Sequence, residues 1–552
     1  MDKNIISFNS VITTSVFALS FLLIGIPLWW KTTEVYRYPI PYEECQSLLS
    51  EIIRHTIPVK LVIEDRTVQQ GLLWEELLNY SDEKSKEYSQ PVITFDWSMS
   101  STSEEEQELI QKYQNITDLD FALYLNDKIS GGATLHKKEY GQPEIIILNQ
   151  NYSKEPKFTI GRGRHGYIIN NEGFKGLAQS IDILARKITQ VNRLQKLYTP
   201  ASSYGGDKKP DKDRMRYLRS SKKFDMTFSL IVPEPQVLEA HWDIENAVNS
   251  YLKDVLKELE LISTVNVKSQ VLYMTSLPIS THSSMGDKGE EFILHSDHLP
   301  SLINPIEAKL GSDTSVHPNL NFVLYIPSRE QTPLQIYDNK GKPLPSNAFL
   351  LPQWGGFMIY NCHIPANASL PHPVLLDSHT FMEIFLSQFR LLLGLAETDG
   401  LSSDTFQVLS GPVIRNWEMD FLLRKNAQEQ LSASISSLSS LSQLLQMIGN
   451  IVIRDDVGQK IHFALSSTKE SLKLLAQGDL LGGFLTAQSA FVFSDEAFFD
   501  PSLLALLYFP EDQKYAIYIP LFLPISLPVI TSMSHLWKYW RHVHTKDKPK
   551  VD

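Results

Sequence analysis

The pattern of apolar and polar positions changes character at both ends of this chain. Val11 to Trp30 (VITTSVFALSFLLIGIPLWW) carries no charge. A helix of about 20 such residues is long enough for a bilayer core of roughly 30 Å. The run closes on Pro27, Leu28, Trp29, Trp30 and Lys31 rather than on the small residues of a signal-peptide cleavage site. Trp29 and Trp30 are therefore expected as ring anchors at the headgroup level, with Lys31 beyond them in water. A second apolar run extends from Tyr515 to Trp537, and Pro520, Pro524 and Pro528 recur in it every four residues. That spacing puts them on one helical face, a candidate surface for packing against other spans. Lys538, Arg541, Lys546, Lys548 and Lys550 follow. They place the C-terminus in the cytoplasm, and two spans return the N-terminus to the same side. The middle of the chain is then lumenal or extracellular.

Within that middle, helix and strand periods alternate. Glu43 to His55 reads as a helix, Ile57 to Asp65 and Val92 to Trp97 as strands, and the acidic run Ser103 to Tyr113 as a solvated helix. Phe121 to Leu125 and Glu144 to Leu148 are short apolar strands of the kind that a covered sheet uses, and Glu172 to Leu197 is a long amphipathic helix. Basic residues crowd among Gly, Ser, Asp and Pro between Ala201 and Lys223, which predicts an exposed linker. A second α/β region follows, with strands at Met226 to Val232, Val267 to Met274, Asn321 to Pro327, Leu334 to Asp338 and Gly355 to Asn361, and a helix near Asp243 to Leu259. Beyond Phe381 the pattern is helical almost throughout. In the serine-rich stretch from Leu431, the residues Leu431, Ile435, Leu438, Leu445 and Ile448 mark one helical face.

The expected fold is thus a membrane-anchored α/β protein, with one transmembrane helix at each end. Its parts are a cytoplasmic tail (1–10), a span (11–30), an α/β lobe (31–200), a linker (201–223), a second lobe (224–380), a helical segment (381–514), a span (515–537) and a basic tail (538–552).

Composition adds limits. The chain has 552 residues, 43% hydrophobic and 21% charged, which excludes a largely disordered polymer and implies several domains. A net charge of -12 argues against a nucleic-acid partner, which would call for a broad cationic face. Two cysteines, Cys45 and Cys362, exclude a disulfide scaffold and leave one bridge open.

Candidate chemistry is sparse. Gly161, Gly163 and Gly166 satisfy G-x-G-x-x-G, but the next residues read as a strand, whereas dinucleotide binding needs a helix there. Arg162, Arg164 and His165 are expected in a surface turn. His295, Asp297 and His298 are metal-type ligands without an identifiable distant third. His363 adjoins Cys362, and neighbours on a strand point to opposite faces, so they form no dyad there. Asp118 with Asp120, and Asp211 with Asp213, are chance D-x-D matches. No catalytic residue, cofactor site or metal site is expected. Four glycosylation sequons begin at Asn79, Asn115, Asn151 and Asn367.

Several stretches together carry a family resemblance: GIPLWWKTTEVYR (Gly25 to Arg37), FSLIVPEP, WDIENAV, INPIEAKLGS and HPNLNFVLYIPS (His317 to Ser328), then NAFLLPQWGGFMIYN (Asn347 to Asn361), NIVIRDD (Asn450 to Asp456) and AFFDPSLLALLYFPEDQKYAIYIPLFLP (Ala497 to Pro524). In this order they resemble PIG-S, a subunit of GPI transamidase, with residues 43–200 the least similar. The resemblance implies a non-catalytic subunit of the endoplasmic-reticulum membrane complex that replaces a C-terminal peptide with a glycosylphosphatidylinositol. It implies that the nucleophilic cysteine belongs to PIG-K. The other partners implied are PIG-T, PIG-U, a metallopeptidase-like subunit and, through the complex, the proprotein and the GPI lipid. It also makes Asn367 the best glycan position.

Overall fold

The computed structural model describes residues 8–25, 36–63, 70–86, 93–101, 140–149, 157–161, 163–170, 176–197, 217–276, 282–286, 289–296, 299–310, 317–365, 367–395, 406–408, 414–449 and 451–505, with isolated residues at 27–28, at 31 and between 516 and 541. The expectations for Ser103–Tyr113, Phe121–Leu125 and most of the basic linker lie outside the described residues.

The chain forms two compact units. The larger comprises Ile52–Ser432 and Lys469–Gln488. Its strands are β1 (His55–Ile63), β2 (Ile93–Ser101), β3 (Glu144–Asn149), β4 (Lys157–Ile160), β5 (His165–Asn170), β6 (Lys223–Val232), β7 (Leu238–His241), β8 (Thr264–Tyr273), β9 (His282–Gly286), β10 (Gly289–His295), β11 (Asn319–Tyr325), β12 (Leu334–Tyr337), β13 (Ala348–Leu351), β14 (Gly355–Ile359), β15 (His372–Leu375) and β16 (Phe406–Val408). One sheet has the order β16-β4-β5-β3-β1-β2, parallel except between β4 and β5. A second has the order β13-β14-β11-β6-β8, parallel except between β13 and β14. Two small sheets, β12-β10-β9 and β15-β7, complete it. A single apolar core runs continuously from residues of the first sheet to those of the second.

β6 sits in the middle of the second sheet because it can be covered on both faces: every residue from Phe224 to Val232 is buried. Phe228 lies in the main core, stacked on Phe322 of β11 with centroids 5.5 Å apart. The helix Ser378–Leu393 lays Phe385 against both rings, at 6.0 and 5.4 Å. Asp377 starts this helix by accepting the His379 N–H, and Gly394, at φ +88°, ends it. Ile231, on the opposite face of β6, packs into a smaller core with Leu294, Ile306 and Ile336.

The two glycines of WGG are fixed by crowding. Gly355 has φ +142°, and a Cβ there would lie 1.9 Å from the Asn321 carbonyl oxygen. A Cβ on Gly356 would lie 1.8 Å from Gln388 Oε1. At Gly355 only glycine lets β14 come this close to the β11 backbone, whereas at Gly356 the neighbour is the end of the Gln388 side chain.

The smaller unit comprises Met1–Glu51, Ala433–Thr468 and Ser489–Asp552. Here the serine-rich helix behaves differently from an amphipathic surface helix. It belongs to the helix Asn416–Met447, and Leu438 and Leu445 are buried as expected, but so are Ser434, Ser439 and Ser442. Ser434 hydrogen-bonds Thr468 at 3.1 Å and donates to the Ala490 carbonyl at 3.2 Å. Small side chains let neighbouring helices approach, and the hydroxyls of Ser434 and Ser442 still find acceptors.

The expected membrane spans require correction. Among the described residues no helix is long and apolar enough to cross a membrane. Phe8–Ser20 is a helix of 13 residues followed by a π turn at Phe21–Gly25. At 1.5 Å per residue it rises about 20 Å against a core of roughly 30 Å. Between 516 and 541 only scattered residues are described, and those are helical. Among the described residues the fold is mixed α/β, and the two anchoring helices are not supported. The placement in a membrane by two spans, with both termini cytoplasmic, falls with them.

Candidate functional site

The glycine motif is structural. Gly161 N–H bonds the His165 carbonyl at 3.0 Å, closing the hairpin between β4 and β5, and the chain continues as a strand. Arg162 lies outside the described residues, but Arg164 and His165 are not in an exposed turn. Arg164 makes a paired contact to Asp420 at 2.6 and 2.8 Å, with only 13% and 4% of these side chains exposed. Trp417 Nε1 donates to the Gly161 carbonyl at 3.2 Å. Behind the turn, Glu144 accepts from Lys60 at 2.7 Å and faces His165 Nδ1 at 3.1 Å. Burial pushes the Glu144 carboxyl up, but His165 and Lys60 outweigh it and hold it at about 2.

Of the other catalytic and metal-binding candidates, only His295, Cys362 and His363 fall among the described residues. His295 is exposed at the end of β10, while Asp297, His298, Asp118, Asp120, Asp211 and Asp213 lie outside the described residues. Among the described residues, no group of three or more His, Cys, Asp or Glu side chains could hold a metal ion. Cys45 and Cys362 are both buried and are not bridged to each other. Burial pushes the Cys362 thiol up to about 11, which disfavours the thiolate a nucleophile needs. His363 beside it is exposed.

What the second sheet does build is a cavity of about 310 Å³ outside the carboxyl ends of β6, β11 and β14. The chain leaves β6 to one side for β8 and returns on the other side as β11. The crevice between β6 and β11 is therefore a topological switch point, where open α/β sheets bind ligands. Three of the family-like stretches end there: FSLIVPEP at Pro233 and Glu234, HPNLNFVLYIPS at Pro327, and NAFLLPQWGGFMIYN at Asn361. Asn361 fixes one wall, accepting from the Leu334 N–H and donating to its carbonyl, both at 2.9 Å. The sequence reading missed this site. Its signal was an apolar strand stopped by Pro or Asn in three separate stretches.

Of the expected glycan positions, Asn367 is exposed, in a turn closed by Ala368 N–H to the Pro365 carbonyl at 3.1 Å. Asn79 is exposed on the helix Gln70–Lys86, but its sequon serine, Ser81, is buried and accepts from Trp97 Nε1 at 3.4 Å. Asn115 and Asn151 lie outside the described residues, as do Trp29 and Trp30. Lys31 is exposed, and so are Pro520, Pro524 and Pro528.

In the smaller unit two more family-like stretches meet. Tyr38 N–H bonds the Ile453 carbonyl at 3.0 Å, and Ile453 N–H bonds the Tyr36 carbonyl at 3.2 Å. Tyr36 OH donates to Asp455, raising the tyrosine's pKa, and Arg37 donates to the carbonyls of Leu445 and Gly449. GIPLWWKTTEVYR thus ends as a clasp on NIVIRDD.

Comparison with known proteins bears on the whole chain. The family model "PIG-S: Phosphatidylinositol-glycan biosynthesis class S protein" matches residues 16–543. The GPI-anchor transamidase component PIGS of Mus musculus is 36% identical over 561 residues, covering 97% of this chain and 96% of that protein. Its counterpart in Homo sapiens is 35% identical, covering 96% of each. The GPI transamidase component PIG-S homolog of Schizosaccharomyces pombe is 23% identical, covering 91% of this chain and 79% of that protein.

Proposed function

This chain belongs to the PIG-S family, and we propose that it is a non-catalytic subunit of the GPI transamidase complex. It supports the attachment of glycosylphosphatidylinositol to the C-terminus of proproteins, in the endoplasmic reticulum. The observation that carries this reading is near-complete, end-to-end similarity to proteins that are named as components of that transamidase.

The chemistry of the chain is compatible with an accessory role. Its one cysteine near the sheet cavity is buried with its thiol pushed up, the wrong state for attack on a peptide carbonyl. The catalytic cysteine is supplied by another subunit, PIG-K, and the remaining partners are PIG-T, PIG-U and the metallopeptidase-like subunit. Asn367 carries a glycan: an exposed turn presents its side chain, whereas the Asn79 sequon is wound into a helix with its serine buried.

Affinity purification of the tagged full chain in mild detergent tests the assignment. Stoichiometric recovery of a caspase-like cysteine subunit is expected. Recovery of the chain by itself, with the transamidase subunits intact but separate, would overturn it.

A further inference from the structure

The lining of the cavity at the ends of β6, β11 and β14 restricts what it can hold. A volume of about 310 Å³ suits a small molecule. The floor is aliphatic, formed by Val232, Val237, Leu238, Ile326 and Ile364. No Phe, Tyr or Trp ring lines it, so it lacks the broad platform on which a base or a sugar would stack. Nor does β6 open into a helix: it leads to β7, and β11 leads only to the single 3-10 turn Arg329–Gln331, whose first N–H is already bonded to Glu234.

Specificity must come from the polar part of the lining, where two residues of opposite charge, Glu234 and Arg329, share the cavity. Glu234 Oε2 accepts the backbone N–H of Arg329 at 3.0 Å, which ties the carboxylate to the turn that carries the guanidinium. The neighbouring polar groups are engaged in the wall. The Asn361 amide is bonded to Leu334 in both directions, and the Thr332 hydroxyl donates to the Ser328 carbonyl at 2.8 Å. Glu234, Arg329 and the exposed His363 remain to meet a ligand. A simple anion would face Glu234, and a simple cation would face Arg329, so either is penalised by the like charge.

We propose that this cavity binds a small aliphatic zwitterion, with its primary ammonium on Glu234 and its carboxylate or phosphate on Arg329 and His363. The aliphatic part of the molecule rests on the floor of the crevice. Two sources share this chemistry, a free aliphatic amino acid and an aminoalkyl phosphate such as a lipid headgroup. The site is separate from the subunit assignment above and stands whether or not that assignment does.

Equilibrium dialysis of the full chain in mild detergent, with radiolabelled leucine and radiolabelled O-phosphoethanolamine, tests the proposal. At least one of them should bind saturably with a Kd of about 1 mM or below. Leucine alone would identify the amino-acid source and O-phosphoethanolamine alone the headgroup source. Ethanolamine and inorganic phosphate, each carrying half of the charge pattern, should bind at least about tenfold more weakly. Glu234→Gln keeps an acceptor for the Arg329 N–H and should weaken zwitterion binding by about tenfold or more. Arg329→Met leaves that backbone donor in place and should do the same, so it carries the test if Glu234→Gln fails to fold. Absence of saturable binding by both zwitterions up to about 10 mM, equal binding of the half-ligands, or binding unchanged in the variants would overturn the proposal.

Discussion

His55 is 3% exposed beside Arg424, and its environment sets how the larger unit responds to acid. Burial, then the Arg424 charge, lowers its pKa from 6.5 to about 3, so the folded protein holds it neutral. In the unfolded chain it takes a proton near pH 6.5. The stability from His55 is therefore complete above about pH 6.5 and declines as pH falls toward 3, on the order of 1 kcal/mol per pH unit. Glu144, held at about 2, adds stability that is present above about pH 4.5 and is lost below it. Melting temperature against pH should fall from about pH 6 downward in the natural protein. In His55→Gln the decline should begin only near pH 4.5. Identical profiles would show that His55 does not titrate in this way. At the same scale, Asn367→Gln should remove one glycan by mobility shift, whereas Asn79→Gln should change nothing. The sequon rule could not separate these two sites, because it does not say that Ser81 lies under Trp97.

Among the elements, what could be read from the chain depended on how each one is buried. β6 was legible because a strand covered on both faces is a continuous apolar run. β16 was not: Phe406–Val408 is three residues long, and only its pairing with β4 makes it a strand. The helix expected over Glu172–Leu197 is interrupted at Gln190, which takes φ +52° and starts a second helix at Val191–Leu197. The polar start of the helix Asn416–Met447 gave no sign of its burial. Glu418 and Asp420 are buried, Glu418 held by its near neighbour Arg415 and by Arg390, and Asp420 by Arg164 from a distant part of the sequence. The distant pair cannot be seen without the fold. Asp420→Ala strands the Arg164 guanidinium and should cost about 3–5 kcal/mol in denaturant unfolding. Gly355→Ala should cost about 3 kcal/mol or more, since the added Cβ meets backbone rather than a movable side chain. A loss below about 0.5 kcal/mol for either would contradict the packing described.

Over the whole molecule, order along the chain was more informative than average composition. An acidic chain of 552 residues with 43% apolar content fits many proteins, and its terminal apolar runs suggested spans that no described helix is long enough to make. The family-like stretches, by contrast, fold into working parts. Three of them end at the sheet cavity, and two form the clasp between Tyr36–Tyr38 and Ile453. The central claim is that the transamidase depends on this chain although its nucleophile lies elsewhere. The most direct measurement is surface display of a GPI-anchored reporter in cells lacking the chain, before and after it is restored. The account predicts that the reporter is lost without the chain, and that the full chain and a Cys362→Ser variant restore it equally. Normal display without the chain, or rescue that fails with Cys362→Ser while the complex still assembles, would contradict it.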